Sequence, residues 1–343
     1  MAFVQTSLAQ RLRALTLLLL DDSRPAFSLR SEVLELKDIF EAAGGMNTEP
    51  EEDIASGETV TAAGIAISPT MASMCLDDFA RTVQFLRGTH AAITELDEKI
   101  DDRPVHVLYV GCGPWAPLAI PLMSVFTAAE VTFSLLDIHP ESIDSVNSII
   151  NSLELFDRLT TLKTADAATC SIEGDATPDV ILIEMMRAGL EAEPQVAVAM
   201  NLLHQAPNVV LIPQEIRLEL ALVNSLREFV TSPSSDEVRT PERDRVEIGS
   251  IIVLTREGLG SRIDQQTRSI PAASLRIPEF DPVRYRPMIL TTVHVYQEHL
   301  LKDYDSGITC PRPLHMREAL TPGATVDFSY EMGTRPGLRA SRS

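Results

Sequence analysis

Cysteine is sparse in this sequence, and nothing in it is spaced to hold a metal. Four cysteines, Cys75, Cys112, Cys170 and Cys310, stand far apart without a CxxC pair, which argues against structural zinc and against a disulfide framework. Seven histidines include no HExxH motif. The nearest grouping, His294, Glu298 and His299, falls in a run that reads as a strand, where His294 and His299 point to opposite faces, so no metal is expected. Long apolar runs are also missing. The longest near the start, Leu12–Leu20, is interrupted by Arg13, and a membrane span needs roughly 20 residues. The start lacks the basic stretch and small-residue cleavage site of a signal peptide, so a cytoplasmic protein is expected. Positive charge is scarce, with 29 Lys+Arg against 49 Asp+Glu and a net charge of −20. A surface that acidic repels phosphate backbones and anionic lipid, so neither nucleic acid nor membrane is an expected partner. It would attract a cationic substrate, although it also serves solubility alone.

What is present is the balance of a globular protein, 45% hydrophobic and 23% charged, over 343 residues. That length suits two domains or one large core. Residues 1–55 read as a helical segment in which Leu29, Val33, Leu36 and Phe40 recur at helical spacing. Gly44-Gly45 supplies a stop, and the acidic stretch Glu49-Pro50-Glu51-Glu52-Asp53 reads as a linker. So apolar a pair must pack on the main domain or on a second copy of itself. The second is preferred, giving a homodimer through these helices. From Val105, short β-branched runs alternate with helical stretches: Val105–Val110, Val131–Asp137, Leu159–Thr164, Val180–Glu184 and Val209–Ile212. This is the pattern of an α/β parallel sheet, assigned to residues 56–212. After Pro213 the period becomes two, with Ile216, Leu218, Leu220 and Leu222 on one face. The runs Ile248–Thr255, Met288–Tyr296 and Thr325–Tyr330 follow, so residues 213–343 read as an antiparallel β domain with an exposed loop over Thr231–Arg245.

The first strand of the sheet ends in Gly111-Cys112-Gly113, and the second ends in Asp137, 24 residues after Gly113. Glycines there permit a tight turn and close approach of a ligand, and the carboxylate can accept from ribose hydroxyls. A dinucleotide turn wants a third glycine where Ala116 stands, and Pro114 and Trp115 crowd the bend. A cofactor without a pyrophosphate, S-adenosylmethionine, suits it better. A plain strand-to-helix turn is the bland alternative.

Taken with the flanking segments, the run from Asp77 to about Val223 resembles a class I methyltransferase of the arginine N-methyltransferase type. Asp77-Asp78-Phe79-Ala80-Arg81-Thr82-Val83-Gln84-Phe85 is similar to the family's D-x-x-R-T-x-x-Y/F segment. Ile183 to Glu193 is similar to its double-glutamate loop, with Glu184 and Glu193 at the nine-residue spacing. The entry Val209 to Leu218 looks like the start of its β-barrel. The resemblance implies a Rossmann-like domain followed by a barrel-like one. It gives Arg81 to the cofactor's carboxylate, Gly111 and Gly113 to the cofactor turn, Asp137 to the ribose and Asp166 to the adenine amino group. Glu184 and Glu193 become the catalytic pair, with Glu191 a rival for the second role. Departures are Tyr109 where an acid is usual, Trp115 in place of a third glycine, and Met185 for a tryptophan. No match to the Thr-His-Trp loop is found beyond a loose candidate, His294, and no dimerisation arm follows Val223.

Two carboxylates on one hairpin can grip a planar guanidinium in bidentate fashion and turn its third nitrogen toward a methyl donor. Only 130 residues follow Pro213, and the separate N-terminal helices also differ from protein-modifying members. These features resemble the free L-arginine methyltransferase type of streptozotocin antibiotic biosynthesis, which implies Nω-methyl-L-arginine as product. Arg187, inside the loop, is then a candidate for the substrate's α-carboxylate. Open alternatives are a protein arginine methyltransferase, a methyltransferase for another small nucleophile, and a non-catalytic cofactor-binding assembly protein.

Overall fold

The computed structural model describes residues 7–47, 54–172, 177–230, 242–260 and 267–342. Helix α1 (Leu8–Leu19) starts at a capping box in which the Ser7 hydroxyl accepts from the Gln10 amide and the Gln10 side chain accepts from the Ser7 amide. Helix α2 (Arg30–Ala42) follows. Two short strands, β1 (Thr59–Val60) and β2 (Ile65–Ala66), form a hairpin, and helices α3 (Pro69–Met74) and α4 (Phe79–Asp97) lead into the sheet. The predicted linker Glu49–Asp53 and residues 231–241 of the predicted loop lie outside the described residues.

The alternating middle third folds as β3 (Val105–Val110), α5 (Ile120–Val125), β4 (Val131–Asp137), α6 (Pro140–Ser152), β5 (Leu159–Thr164), β6 (Val180–Ile183), α7 (Gln195–Gln205) and β7 (Val210–Ile212). All five strands are parallel, in the order β5-β4-β3-β6-β7. The strand order reverses between β3 and β6, which opens a crevice beyond their carboxyl ends, the place where such sheets take ligands. Every residue of β3 and β6 is buried, which is why both read as unbroken apolar runs.

The last third is antiparallel: β8 (Glu215–Val223), β9 (Arg245–Thr255), the short helix α8 (Arg256–Gly260), β10 (Ser269–Arg276), β11 (Arg286–Tyr296), β12 (His299–Leu301), β13 (Arg312–Pro313), β14 (Thr325–Glu331) and β15 (Gly337–Arg342). One sheet runs β12-β11-β8-β9 with β13 on β11, and the other runs β10-β14-β15. β9 and β10 pack together, bringing the sheets into a barrel-like arrangement.

Two expectations change. The apolar stripe offered to a second copy packs on its own chain, while Leu17, Leu18, Phe27 and Leu34 stay exposed. Leu12, Leu15, Leu19, Val33, Leu36, Ile39 and Phe40 are buried within their own chain, where α1 packs on α5 and α2 on α4. Arg87 of α4 fixes the connection by donating to the carbonyls of Leu19, Asp21 and Arg24 at 2.8, 2.6 and 2.9 Å. Each such apolar side chain contributes about 1.5–3 kcal/mol when buried, so the stripe that suggested a dimer is satisfied by intramolecular docking. Second, His294 and His299 do not share one strand. Gln297, at φ +47°, turns the chain, and His294 pairs with Leu300 while Tyr296 pairs with His299 across the β11–β12 hairpin. The apolar core is continuous from α1 and α2 through the parallel sheet into β8, β9, β11 and β14.

Candidate active site

The turn after β3 takes Gly111 and Gly113 into the left-handed region, at φ +67° and +64°. Ala116, where a third glycine would stand, also has positive φ, +40°. Trp115 is buried, stacks obliquely on Phe40 at 6.0 Å and donates to the Met46 carbonyl at 3.1 Å. It therefore packs the N-terminal segment onto the turn from behind. Asp137, the last residue of β4, accepts from the Gly113 amide at 2.8 Å and from the His139 amide at 2.9 Å. The His139 ring lies 3.3 Å from the same carboxylate and 3.1 Å from the Thr59 hydroxyl of β1. The hydrogen bond with Asp137 raises the His139 pKa above its ordinary value, against the opposing effect of burial. His139 was not singled out from sequence. Its only signal was a histidine two residues beyond a strand-end acid. Asp166 accepts from the Ala168 amide at 2.9 Å, shaping the turn after β5.

Glu184 follows the last residue of β6, and the loop it opens is held from several sides. Gly189, Leu190 and Ala192 all have positive φ. The Gly189 amide donates to the Thr291 hydroxyl of β11 at 3.0 Å, and the Tyr330 hydroxyl of β14 donates to the Leu190 carbonyl at 3.0 Å. The Ala192 amide donates to the Pro336 carbonyl at 2.9 Å, while the Ala192 carbonyl accepts from the Ile65 amide of β2 at 2.8 Å. Gly64 lies so close beneath that a Cβ there would be 2.9 Å from both the Ala192 carbonyl oxygen and the Pro194 nitrogen.

These elements enclose a cavity of about 1000 Å³, counted to its open mouth. Arg81, Gly111, Gly113, Asp137, Asp166, Glu184 and Glu193 all line it, together with Tyr109, Met185 and His139. All seven site residues proposed from sequence thus meet in one place. Arg81 meets Glu184 at 3.0 Å and donates to the Cys75 carbonyl at 2.7 Å. The Glu184 side chain is 8% exposed. Burial pushes its pKa up to about 7, with Arg81 pulling it down and Glu193 and Asp78 adding to the rise. The pKa of Glu193 is also raised, by burial first, against the pull of Arg187, whose Nε lies 3.0 Å from its Oε1. Glu191 instead faces Arg312 at 3.2 Å, away from the cavity lining. Among the described residues no cluster of three or more His, Cys, Asp and Glu side chains could hold a metal ion, and no helix is long and apolar enough to cross a membrane.

His294 does not reach this cavity; its ring is held by the Gln297 carbonyl. The barrel meets the start of α4 through a turn that the sequence did not flag. Asp78 accepts from the Ser306 hydroxyl at 2.6 Å and from the Gly307 amide at 2.8 Å, while also capping the Arg81 amide at 3.3 Å. Asp78 thereby fixes the helix that carries Arg81.

No family profile matches the sequence, and no curated protein matches it either. Solved structures do resemble it. A Trypanosoma brucei PRMT1 enzyme–prozyme heterotetrameric complex with AdoHcy is similar at TM-score 0.50 and 11% identity, over 80% of this chain and 92% of that one. Arabidopsis thaliana protein arginine methyltransferase 10 is similar at TM-score 0.47 and 12% identity, over 75% and 86% of the two chains. A PRMT6 structure gives 0.45 and 11%, over 75% and 95%. The chain thus has the fold of a Rossmann-like class I methyltransferase domain joined to a C-terminal antiparallel, barrel-like domain.

Proposed function

We propose that this protein is an S-adenosylmethionine-dependent N-methyltransferase whose acceptor is the guanidinium group of arginine, with free L-arginine as substrate and Nω-methyl-L-arginine as product. The observation that carries the reading is the convergence of two carboxylates with buried side chains, Glu184 and Glu193, on the cavity that also contains the glycine turn and Asp137. Each carboxylate is paired within the chain, Glu184 with Arg81 and Glu193 with Arg187, and a planar cation with two N–H edges is the ligand that can fork the two together. The AdoHcy carried by the T. brucei fold relative supports a related cofactor in the crevice.

The cavity suits that cofactor, because the glycine turn, the strand-end acid Asp137, Asp166 and Arg81 all line the same space. Gly111 and Gly113 would hold it at the turn, Asp137 at the ribose, Asp166 at the adenine amino group and Arg81 at the carboxylate. Bound there, it supplies an electrophilic methyl group. The chain's own residues do the rest. Glu184 and Glu193 orient the guanidinium and draw its positive charge toward the two nitrogens they hold, so the third regains lone-pair character. Held near 7 by burial, Glu184 is the carboxylate suited to take the proton lost from that nitrogen. Fixing acceptor and donor in contact can remove up to ~7–11 kcal/mol of the barrier.

The test is a mass spectrum of free L-arginine, and in parallel of an arginine-containing peptide, after incubation with enzyme and S-adenosylmethionine. A one-methyl gain on free arginine, absent with Glu184→Gln, is expected. Gain on the peptide alone would transfer the reading to a protein arginine methyltransferase, and gain on neither would end it.

A further inference from the structure

Arg187 is paired with one of the two carboxylates that an incoming guanidinium would fork. Its Nε lies 3.0 Å from Glu193 Oε1, its Nη2 lies 3.9 Å from Glu58 Oε1, and its side chain is 45% exposed. It is not itself part of the cavity wall, whereas Glu193 is. Among the described residues, Arg81 and Arg187 are the arginines paired with the two buried glutamates. Arg81 is held on Glu184 within the protein, and Arg187 sits on Glu193 from the rim.

Resting on the reading above, we infer that Arg187 is a specificity-determining residue: it occupies Glu193 until a guanidinium displaces it, and then receives the carboxylate of that same substrate. Once displaced from Glu193, Arg187 has lost its 3.0 Å partner, and a substrate carboxylate is the anion that can replace it. The displaced Arg187 is not released to solvent. Glu58, on the segment leading into β1, lies 3.9 Å from its Nη2, and the edge freed from Glu193 is left for the anion that follows the substrate's guanidinium inward. An arginine fork binds a carboxylate there with two parallel N–H donors. The chemical class selected is a zwitterionic guanidino acid. A guanidine without a carboxylate must displace the same ion pair and gains nothing in return.

The experiment compares kcat/KM for L-arginine and for agmatine, which is arginine without its carboxylate, in wild type, Arg187→Gln and Arg187→Lys. A charge-assisted pair corresponds to about a 10–100-fold preference for L-arginine in wild type. In Arg187→Gln that preference should collapse, through a higher KM for L-arginine with kcat largely kept and a KM for agmatine that is unchanged or lower. Arg187→Lys, which keeps the charge but loses the fork, should fall between. The ratio of substrates is internal to each preparation, so a variant that folds poorly scales both rates alike and leaves the ratio at its wild-type value. An unchanged ratio in Arg187→Gln overturns the inference while leaving guanidinium methylation in place. A wild type that methylates neither compound overturns the proposed function and this inference with it.

Discussion

Alanine at position 111 would strike the contact between the glycine turn and the glutamate loop. Gly111 has φ +67°, a conformation that costs an L-residue about 1–2 kcal/mol. The new Cβ would lie 2.3 Å from Met185 Sδ and 2.5 Å from Met185 Cγ. Met185 cannot yield by moving its backbone. Its amide donates to Gln195 Oε1 at 2.9 Å, and the Gln195 amide group donates in turn to the Ile183 carbonyl at 3.1 Å. Forced overpacking of this kind adds about 1–3 kcal/mol, so Gly111→Ala should cost about 2–5 kcal/mol. For a chain of this length that corresponds to a fall of about 3–7 °C in the thermal midpoint. The second variant, Gly111→Ala with Met185→Ala, should recover the steric part and keep the dihedral part, a coupling of about 1–3 kcal/mol in a double-mutant cycle. Calorimetry of the four proteins measures it. A single variant melting within about 1 °C of wild type, or a double variant that is merely the sum of the singles, would refute the contact.

The pKa of Glu184, raised to about 7, sets the pH response. Below that value the acid is neutral and cannot fork a cation, so kcat/KM for the guanidine should rise with pH up to about 7 and level off above. Glu184→Gln should remove the limb together with ~10²–10⁴-fold of activity, and a flat profile in wild type would contradict the burial argument. Asp137→Asn should return the His139 pKa, followed by NMR titration, from its raised value toward the ordinary range, because the hydrogen bond with that carboxylate is the largest cause of the rise. It should also weaken cofactor binding about 10–100-fold; an unmoved His139 titration would argue against the pairing. Truncation to Ser56 should give aggregated, dye-binding protein, because the faces of α4 and α5 that α1 and α2 cover would be bare. A folded monomer from that truncation would show that the helices are dispensable.

The parallel sheet was readable because its central strands are buried on both faces. Val105–Val110 and Val131–Asp137 begin and end where the β-branched runs do. The clean alternation at Ile216–Leu222 likewise marks β8, with one face in the core. The site residues were readable for a different reason. Glycines and acids at strand ends keep a fixed spacing, because the turns that carry them are short. What stayed hidden depends on distant partners. An amphipathic stripe on α1 and α2 states that a face will be buried but not against what. The Ser306 hydroxyl reaches Asp78 across 228 positions of sequence, a pairing that no local period encodes. The turn at Gln297 uses positive φ without a glycine, so the chain there read as one strand. Arg187 on Glu193 was visible as a charge within the loop but not as that loop's own counter-ion.

The loop bearing Glu184 and Glu193 is wedged between the hairpin at Ile65 and the barrel residues Thr291, Tyr330 and Pro336. It behaves as a keystone, whose position is set by the stones that press on it. Engineering a new acceptor by rewriting the loop alone would leave those neighbours pushing it back into its old pose. Substitutions at Thr291 or Tyr330, which touch no ligand-facing atom, are the levers that would re-aim both acids at once.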